Sequence, residues 1–395
     1  MASRRSLTRG QSDRIRVLIV EPAGLLGGSE RALLDLLSHV DGARFDVMVV
    51  APTGSLFIDE LRRLDVRVAE APLALLHLRG LPARAMALAA LTTLMIRFRP
   101  HVVHVNQAGM MRLVALASRV VRAPVLCHVR LLEDARTINR RVSRGARATQ
   151  MVGISNAVVA ELTRNNTIAR QRVECVRDPL DQEDIRKAGG AGTRRSIRAA
   201  FGIPDHAIVV AMVGRVCEDK RQALLIEAAD LSSRSDVYYL VVGGDPPHAS
   251  NRPSYREHLQ QRVHTSPLSK RVLFTGMRVD VPALMVASDI VVMASEEEAF
   301  GRVLLEALTL GRHIVAPAAG GPGEIAGDDE RGLTFAPGDA AALARCIDAV
   351  IADPDAARAR TERGAEWVRV VCSPDRHARE IERIYADLGT HVAAR

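Results

Sequence analysis

Residues 289–311 read DIVVMASEEEAFGRVLLEALTLG. A short β-branched apolar run comes first, then an acidic turn, then apolar residues at helical spacing. An uninterrupted apolar run suits a strand covered on both faces, as in a parallel sheet. Phe300-Gly301 makes a close turn into the helix, and Gly311 stands where a helix ends. The stretch is therefore a strand that feeds directly into a helix. It also holds four glutamates, and one of them, Glu306, sits inside the apolar run. A carboxylate there is unfavourable unless something pairs with it.

The same rhythm extends in both directions. IRVLIV (15–20), FDVMVVA (45–51), VRVAEA (66–71), HVVHVN (101–106), PVLCHV (124–129) and MVGIS (151–155) read as strands. Amphipathic stretches such as SERALLDLLSHV (29–40) lie between them. IRKAGGAGTRRS (185–196) has the glycine and charge content of a linker. The rhythm restarts with AIVVAMVG (207–214), VYYLVVGG (237–244), RVLFTG (271–276), DIVVMA (289–294) and HIVAPA (313–318). The expectation is α/β, with two doubly wound Rossmann-like domains facing a central cleft. Residues 1–14 are expected as a disordered basic tail, 15–188 and 189–374 as the two domains. Residues 375–395 are expected as a solvated amphipathic helix that crosses back to the first domain.

Composition narrows the function. The 395 residues carry a net charge of +8 and a pI near 9.7, with mean hydropathy +0.04. A basic chain suits an acidic partner: a phosphorylated substrate, an anionic membrane or nucleic acid. Aromatics at 3% leave few platforms for stacking bases, and no recognition motif is present, so nucleic acid is not expected. The five cysteines are scattered without a CxxC, which suits neither a disulfide framework nor a zinc site and points to a reducing, cytoplasmic setting. The basic N-terminus has no apolar core and does not read as a signal peptide. The apolar stretch 85–96 is too short to span a bilayer and reads as a buried helix.

Three turns attract attention. After the first strand, Gly27-Gly28 precede Ser29, an expected N-cap, and a helix whose free N–H groups suit an anion. Glu30 reads as a helix-capping carboxylate. After strand 207–213 come Gly214, Arg215 and Lys220. Only three of the 54 basic residues are lysines, so a compact ammonium at Lys220 is notable. Arg215 and Lys220 can neutralise a diphosphate without a metal ion, and none is expected. After strand 289–294, the N–H groups of Arg302 and Val303 begin a helix and offer donors to an anion or hydroxyl. Glu306 can hold a vicinal diol such as a ribose. A plain tight turn or a solvated loop accounts for each feature alone.

The pattern S-x-x-E-x-F-G-x4-E, at Ser295, Glu298, Phe300, Gly301 and Glu306, resembles the E-x7-E signature of family 4 retaining glycosyltransferases, which have the GT-B fold. GGSE (27–30), GR…K (214–220), VVGG (241–244), FTG (274–276), SDI (288–290) and the run from Gly311 to Ile325 agree with it in order and spacing. The resemblance covers nearly the whole chain and is most specific in the C-terminal half.

The resemblance implies that 15–188 serves the acceptor and 189–374 a nucleotide diphosphate sugar, UDP-linked first and GDP-linked second. Arg215, Lys220 and Gly28 would hold the diphosphate. Glu298 and His128 would lie at the transferred sugar, although His128 alone reads as an ordinary strand-tip histidine. Backbone groups of Phe300, Gly301, Arg302 and Val303 would bind sugar and phosphate, Glu306 the ribose, and backbone near Met277 and Arg278 the base. No cofactor is expected beyond the co-substrate. The acceptor would belong to polysaccharide, lipopolysaccharide, glycolipid or natural-product synthesis, lipid-linked or phosphorylated. Apart from the resemblance, the acid-free segment with Arg136, Arg140, Arg141, Arg144 and Arg147 reads as a solvated basic face or as a contact with an anionic membrane. A nucleotide-sugar epimerase and a non-enzymatic nucleotide-sugar-binding module are the competing readings. The chain departs from the family pattern at Asp178-Pro179 and at His313.

Overall fold

The structure is a computed structural model that describes residues 14–24, 27–73, 81–141, 148–164, 170–190, 194–246 and 254–393. The chain divides into two units. The first comprises Met1–Pro179 and Pro374–Arg395, and the second Leu180–Ser373.

The first unit holds β1 (Ile15–Val20), β2 (Phe45–Pro52), β3 (Arg67–Ala71), β4 (Val102–Val105), β5 (Val125–Val129), β6 (Gln150–Gly153) and β7 (Val173–Cys175). They form one parallel sheet in the order β3-β2-β1-β4-β5-β6-β7. The second unit holds β8 (Ile208–Val213), β9 (Val237–Val242), β10 (Val272–Gly276), β11 (Ile290–Val292), β12 (His313–Pro317) and β13 (Leu333–Phe335), parallel in the order β10-β9-β8-β11-β12-β13. Every strand read from the sequence is present, within a residue or two at most ends. The three-residue β7 and β13 were not foreseen, being too short to carry a pattern.

In each sheet the order reverses beside the first strand: between β1 and β4, and between β8 and β11. Ligands of doubly wound sheets bind outside the carboxyl ends of the strands at such a switch point. The turns singled out by sequence follow β1, β8 and β11, so the topology gathers them at the two switch points.

Two expectations need correction. The segment 185–196 is not a linker. Helices Gln182–Gly189 and Arg194–Ala200 occupy most of it, and the division between units falls earlier, at Leu180. Gly189 is there for packing: a Cβ would lie 2.6 Å from Leu310 Cδ2 and 3.1 Å from Val286 Cγ2. Arg198, only 1% exposed, donates to the carbonyls of Ala287 and Ala207 and to Asp289, at 2.8–2.9 Å. Arg194, inside the stretch, likewise pairs with Asp289 and donates to the Ser288 carbonyl at 3.0 Å. The final helix, Pro374–Ala393, is also not merely solvated. It belongs to the first unit and buries Ala378, Ile381, Ile384, Tyr385 and Leu388 against residues of β1, β2 and helix Gly28–His39. The expected tail lies outside the described residues, apart from Arg14.

Candidate functional site

In the second unit, β8 ends at Gly214 (φ +150°), and the chain after β9 passes through Gly243 (φ +146°). A Cβ on Gly243 would sit 1.9 Å from the Gly214 carbonyl oxygen. Only glycine permits this backbone crossing, which is pinned by the Val216 N–H donating to the Gly244 carbonyl at 2.8 Å. Arg215 thereby stands exposed, and no acid pairs with it among the described residues. The single turn Glu218–Lys220 then presents Lys220, whose ammonium forms an ion pair with Glu298. Arg221, in left-handed conformation (φ +59°), pairs with Glu296.

Glu298 reaches Lys220 because of a pair of glycines. Gly321 donates its N–H to the Glu298 carbonyl at 3.0 Å. A Cβ on Gly321 would lie 2.2 Å from Phe300 Cα and 2.6 Å from the Ala299 carbonyl oxygen. One on Gly320 would lie 2.7 Å from the Glu298 carbonyl oxygen. The 298–300 backbone thus rests on the start of helix Gly320–Ala326 with no room for a side chain. Gly301 follows with φ +106° and caps helix Arg302–Thr309, whose first bond joins the Leu304 N–H to the Gly301 carbonyl at 2.9 Å. Earlier N–H groups of the turn have no partner within the helix. Glu306, 12% exposed, lies 3.9 Å from Arg302 Nε. Buried Ser295 keeps its hydroxyl without a partner among the described residues. After β10, Met277 is exposed and Arg278 pairs with Asp280 at 2.7 Å. The chain's Asp-x-Asp triplet, Asp353-Pro354-Asp355, is a helix start: Asp353 accepts from the Ala356 N–H at 2.9 Å.

The first unit's switch point carries a polar cluster that sequence reading largely missed. Glu21, directly after β1, is fully buried. It accepts from the Ala23 N–H (2.7 Å), Gln107 Nε2 (2.8 Å) and Asn106 Nδ2. Burial is the main cause that pushes its pKa up to about 7, against the lowering effect of Asn106. Gln107 also donates to Glu30 at 2.8 Å, bridging two buried carboxylates. Glu30 accepts from the Gly27 N–H at 2.8 Å and from the Ser29 hydroxyl at 2.9 Å. The N-cap is therefore Gly27, not Ser29, and Glu30 caps as expected. Gly28 is exposed at the helix start.

His128 is enclosed. It lies in β5 at 0% exposure, stacked between His104 (centroids 5.6 Å apart) and His377 (6.0 Å). His104 Nδ1 meets the Tyr385 hydroxyl at 2.7 Å. Burial drives the pKa of His128 well below the ordinary 6.5 and that of His104 to about 3, with Arg130 adding to both. His104 and His128 are therefore neutral at pH 7, and both faces of the His128 ring, expected at the sugar, meet other imidazoles of the first unit. The next residue after β5 is Arg130, itself buried, paired with Asp178 and donating to Asn106 Oδ1 at 3.1 Å. Asp178, noted as a departure from the family pattern, therefore anchors an arginine at the sheet's carboxyl edge. His313, the other departure, accepts or donates at Thr361 Oγ1, 2.7 Å away, far from β11's carboxyl end.

Of the expected membrane-contact residues, Arg136 lies 3.9 Å from Glu161. The side chains of Arg140 and Arg141, and residues 144 and 147 entirely, lie outside the described residues. Among the described residues no helix is long and apolar enough to cross a membrane, and no cluster of three ligating side chains could hold a metal.

Comparison with known proteins agrees with this architecture. The model "Glycosyl transferases group 1" matches residues 193–367, and "Glycosyltransferase Family 4" matches 26–184. A 2-deoxystreptamine glucosyltransferase of Streptomyces kanamyceticus is 30% identical over 371 residues, covering 86% of this chain and 91% of that protein. A lipopolysaccharide core biosynthesis glycosyltransferase, LpsE, of Rhizobium meliloti is 34% identical over 178 residues, 44% of this chain and 49% of that protein. The crystal structure of Anabaena Alr3699/HepE in complex with UDP-glucose superposes with a TM-score of 0.78 at 22% identity, over 95% of this chain and all of that one. The two parallel Rossmann-like sheets are those of the GT-B fold, and the chain belongs to the group 1, family 4 glycosyltransferases.

Proposed function

We propose that this glycosyltransferase moves a sugar, with retention, from a UDP-sugar to an acceptor hydroxyl. The observation that carries the reading is the Lys220–Glu298 pair at the second unit's switch point, beside the start of helix Arg302–Thr309. Breaking the bond from the anomeric carbon to the phosphate oxygen places negative charge on the diphosphate and positive charge on the sugar. A lysine touching a carboxylate holds one group of each sign where those charges develop. Arg215 and the N–H groups of 301–303 add donors for the phosphates, and no divalent ion is needed for the neutralisation. Glu298 turns to the sugar when the diphosphate takes Lys220. Glu306 takes the ribose hydroxyls in this reading. The acceptor approaches the first unit at Gln107, a partly exposed amide that the buried carboxylates of Glu21 and Glu30 hold in place and that suits a hydroxyl-rich molecule. Donors of the same kind are bound by solved relatives crystallised with UDP and UDP-glucose, and relatives named for lipopolysaccharide core synthesis and 2-deoxystreptamine set the acceptor classes to try first.

The test is Lys220→Ala against UDP-glucose. Loss of one preorganised donor is expected to lower kcat by about 10²–10³-fold. Because the pair is partly exposed, the melting temperature should hardly move. Turnover near wild type would end the assignment.

A further inference from the structure

From residue 71 to 132 the chain contains no aspartate or glutamate and carries eight arginines, Arg79 to Arg130. Within this stretch lie helices Leu81–Phe98 and Met111–Val121, which connect β3 to β4 and β4 to β5. Both crossovers run the same way along the sheet, so right-handed connection puts both helices on one face. They pack side by side. Helices Gly28–His39 and Leu56–Arg63 cross in the opposite direction and cover the other face, with Pro374–Ala393 against the first of them. Those three carry Asp35, Asp59, Glu60, Asp375, Glu380 and Asp387. They also carry arginines, and helices Leu132–Arg141 and Asn156–Thr163, on the same face as the first pair, carry Glu133, Asp134 and Glu161, so among the described α-helices of the first unit Leu81–Phe98 and Met111–Val121 stand apart in having arginines and no acid.

This acid-free helix pair is also apolar where it meets solvent. Met86 is 56% exposed, Ile96 51%, Leu116 45% and Val120 61%. Between Arg84 and Arg97 the outward positions are Ala85, Met86, Ala89, Thr93 and Ile96, with no charge among them. Exposed Arg84, Arg97, Arg112 and Arg122 flank these residues, and none pairs with an acid among the described residues. An ordinary surface helix would carry charges of both signs along such a face.

We propose that this face docks on an anionic lipid surface. Apolar tips enter the boundary between headgroups and acyl chains while the guanidiniums engage lipid phosphates and carboxylates. The helix lies on the membrane, since its charge-free stretch is too short to span it. Charge complementarity selects the occupant. A protein-binding core would favour aromatics and shed charge at its centre, whereas here arginines alternate with aliphatic tips. The surface differs from the arginine segment at 136–147 and brings the first unit, with its acceptor-side cluster, to the bilayer. It is independent of the catalytic reading.

Co-sedimentation of the full chain tests it, with phosphatidylcholine vesicles compared with vesicles of about one-third phosphatidylserine. Binding is expected only to the latter and should weaken with salt. Each exposed arginine is worth roughly five-fold in partition, so Arg97→Gln/Arg112→Gln/Arg122→Gln together should lose about 100-fold. Met86→Ser/Val120→Ser should also weaken binding, with charge unchanged. Circular dichroism and donor turnover of both variants should match wild type. Equal binding to neutral vesicles, or full binding by the triple variant, overturns the proposal. So does loss of binding only in Arg140→Gln/Arg141→Gln/Arg144→Gln/Arg147→Gln. A concentration-dependent mass that the triple variant loses, without vesicle binding, also overturns it by assigning the face to self-association.

Discussion

Replacing Gly321 with alanine tests how the site is built. The φ angle of Gly321 suits any residue, so the substitution acts through space alone. The new methyl carbon would sit 2.2 Å from Phe300 Cα, 2.5 Å from the Phe300 oxygen and 2.6 Å from the Ala299 oxygen. Carbon atoms rest about 3.5–4 Å apart, so one of two backbones must retreat by roughly 1.5 Å. No flexible side chain is present to absorb the move. Overpacking of this kind costs about 1–3 kcal/mol, which for a unit of this size lowers the melting temperature by roughly 3–10 °C. The segment that retreats carries Glu298 and the start of helix Arg302–Thr309. Displacement of catalytic groups by about 1 Å is worth roughly 10²-fold in rate. UDP-sugar turnover and a thermal melt should therefore both fall. Gly42→Ala, whose Cβ meets nothing within 4 Å, is the control. If Gly321→Ala melts and turns over like wild type, the two glycines do not position Glu298 and the account of the turn is wrong.

Two further predictions concern pH. Glu21 has its folded pKa raised to about 7 from 4.5, so its contribution is fully present below pH 4.5 and is lost as pH rises through 7. Glu21→Gln should gain stability relative to wild type, by about 3 kcal/mol, between pH 4.5 and 7.5, and parallel urea-midpoint profiles would refute this. His104 has its folded pKa lowered to about 3 and must stay neutral, so stability is present above pH 6.5 and is lost as pH falls, by about 1.4 kcal/mol per unit. His104→Gln should flatten the acid limb of the midpoint profile, and an unchanged slope would show that the imidazole column does not govern acid unfolding.

Much of this architecture can be read from residues alone, and the failures share a cause. Continuous β-branched runs such as IRVLIV and AIVVAMVG can only be strands buried on both faces, so the two sheets and the turns at their carboxyl ends follow. What escaped depends on contacts between distant residues. Gly189 looked like flexibility because Leu310 and Val286, which exclude its side chain, lie about a hundred residues away. Arg194 was read as linker charge because its partners, Asp289 and the Ser288 carbonyl, are remote in sequence. Glu21 carries no local signal beyond its place after a strand, yet it centres the first unit's polar cluster. His128 was assigned outward by resemblance, and the ring from the final helix that covers it, His377, is remote in sequence. Lys220 and Glu298 were each singled out as candidates, but their direct contact required the fold.

The return of helix Pro374–Ala393 to the first unit has a consequence for biosynthesis. The second unit is contiguous in the chain and has all its strands and helices once Ser373 has been made. The first unit begins earlier but lacks Ile381, Ile384, Tyr385 and the third imidazole of its histidine column until the last helix leaves the ribosome. The unit translated first is therefore the one completed last, and a chain that ends at Ser373 would hold every element of the second unit while the first unit's core kept one face open to chaperones and proteases.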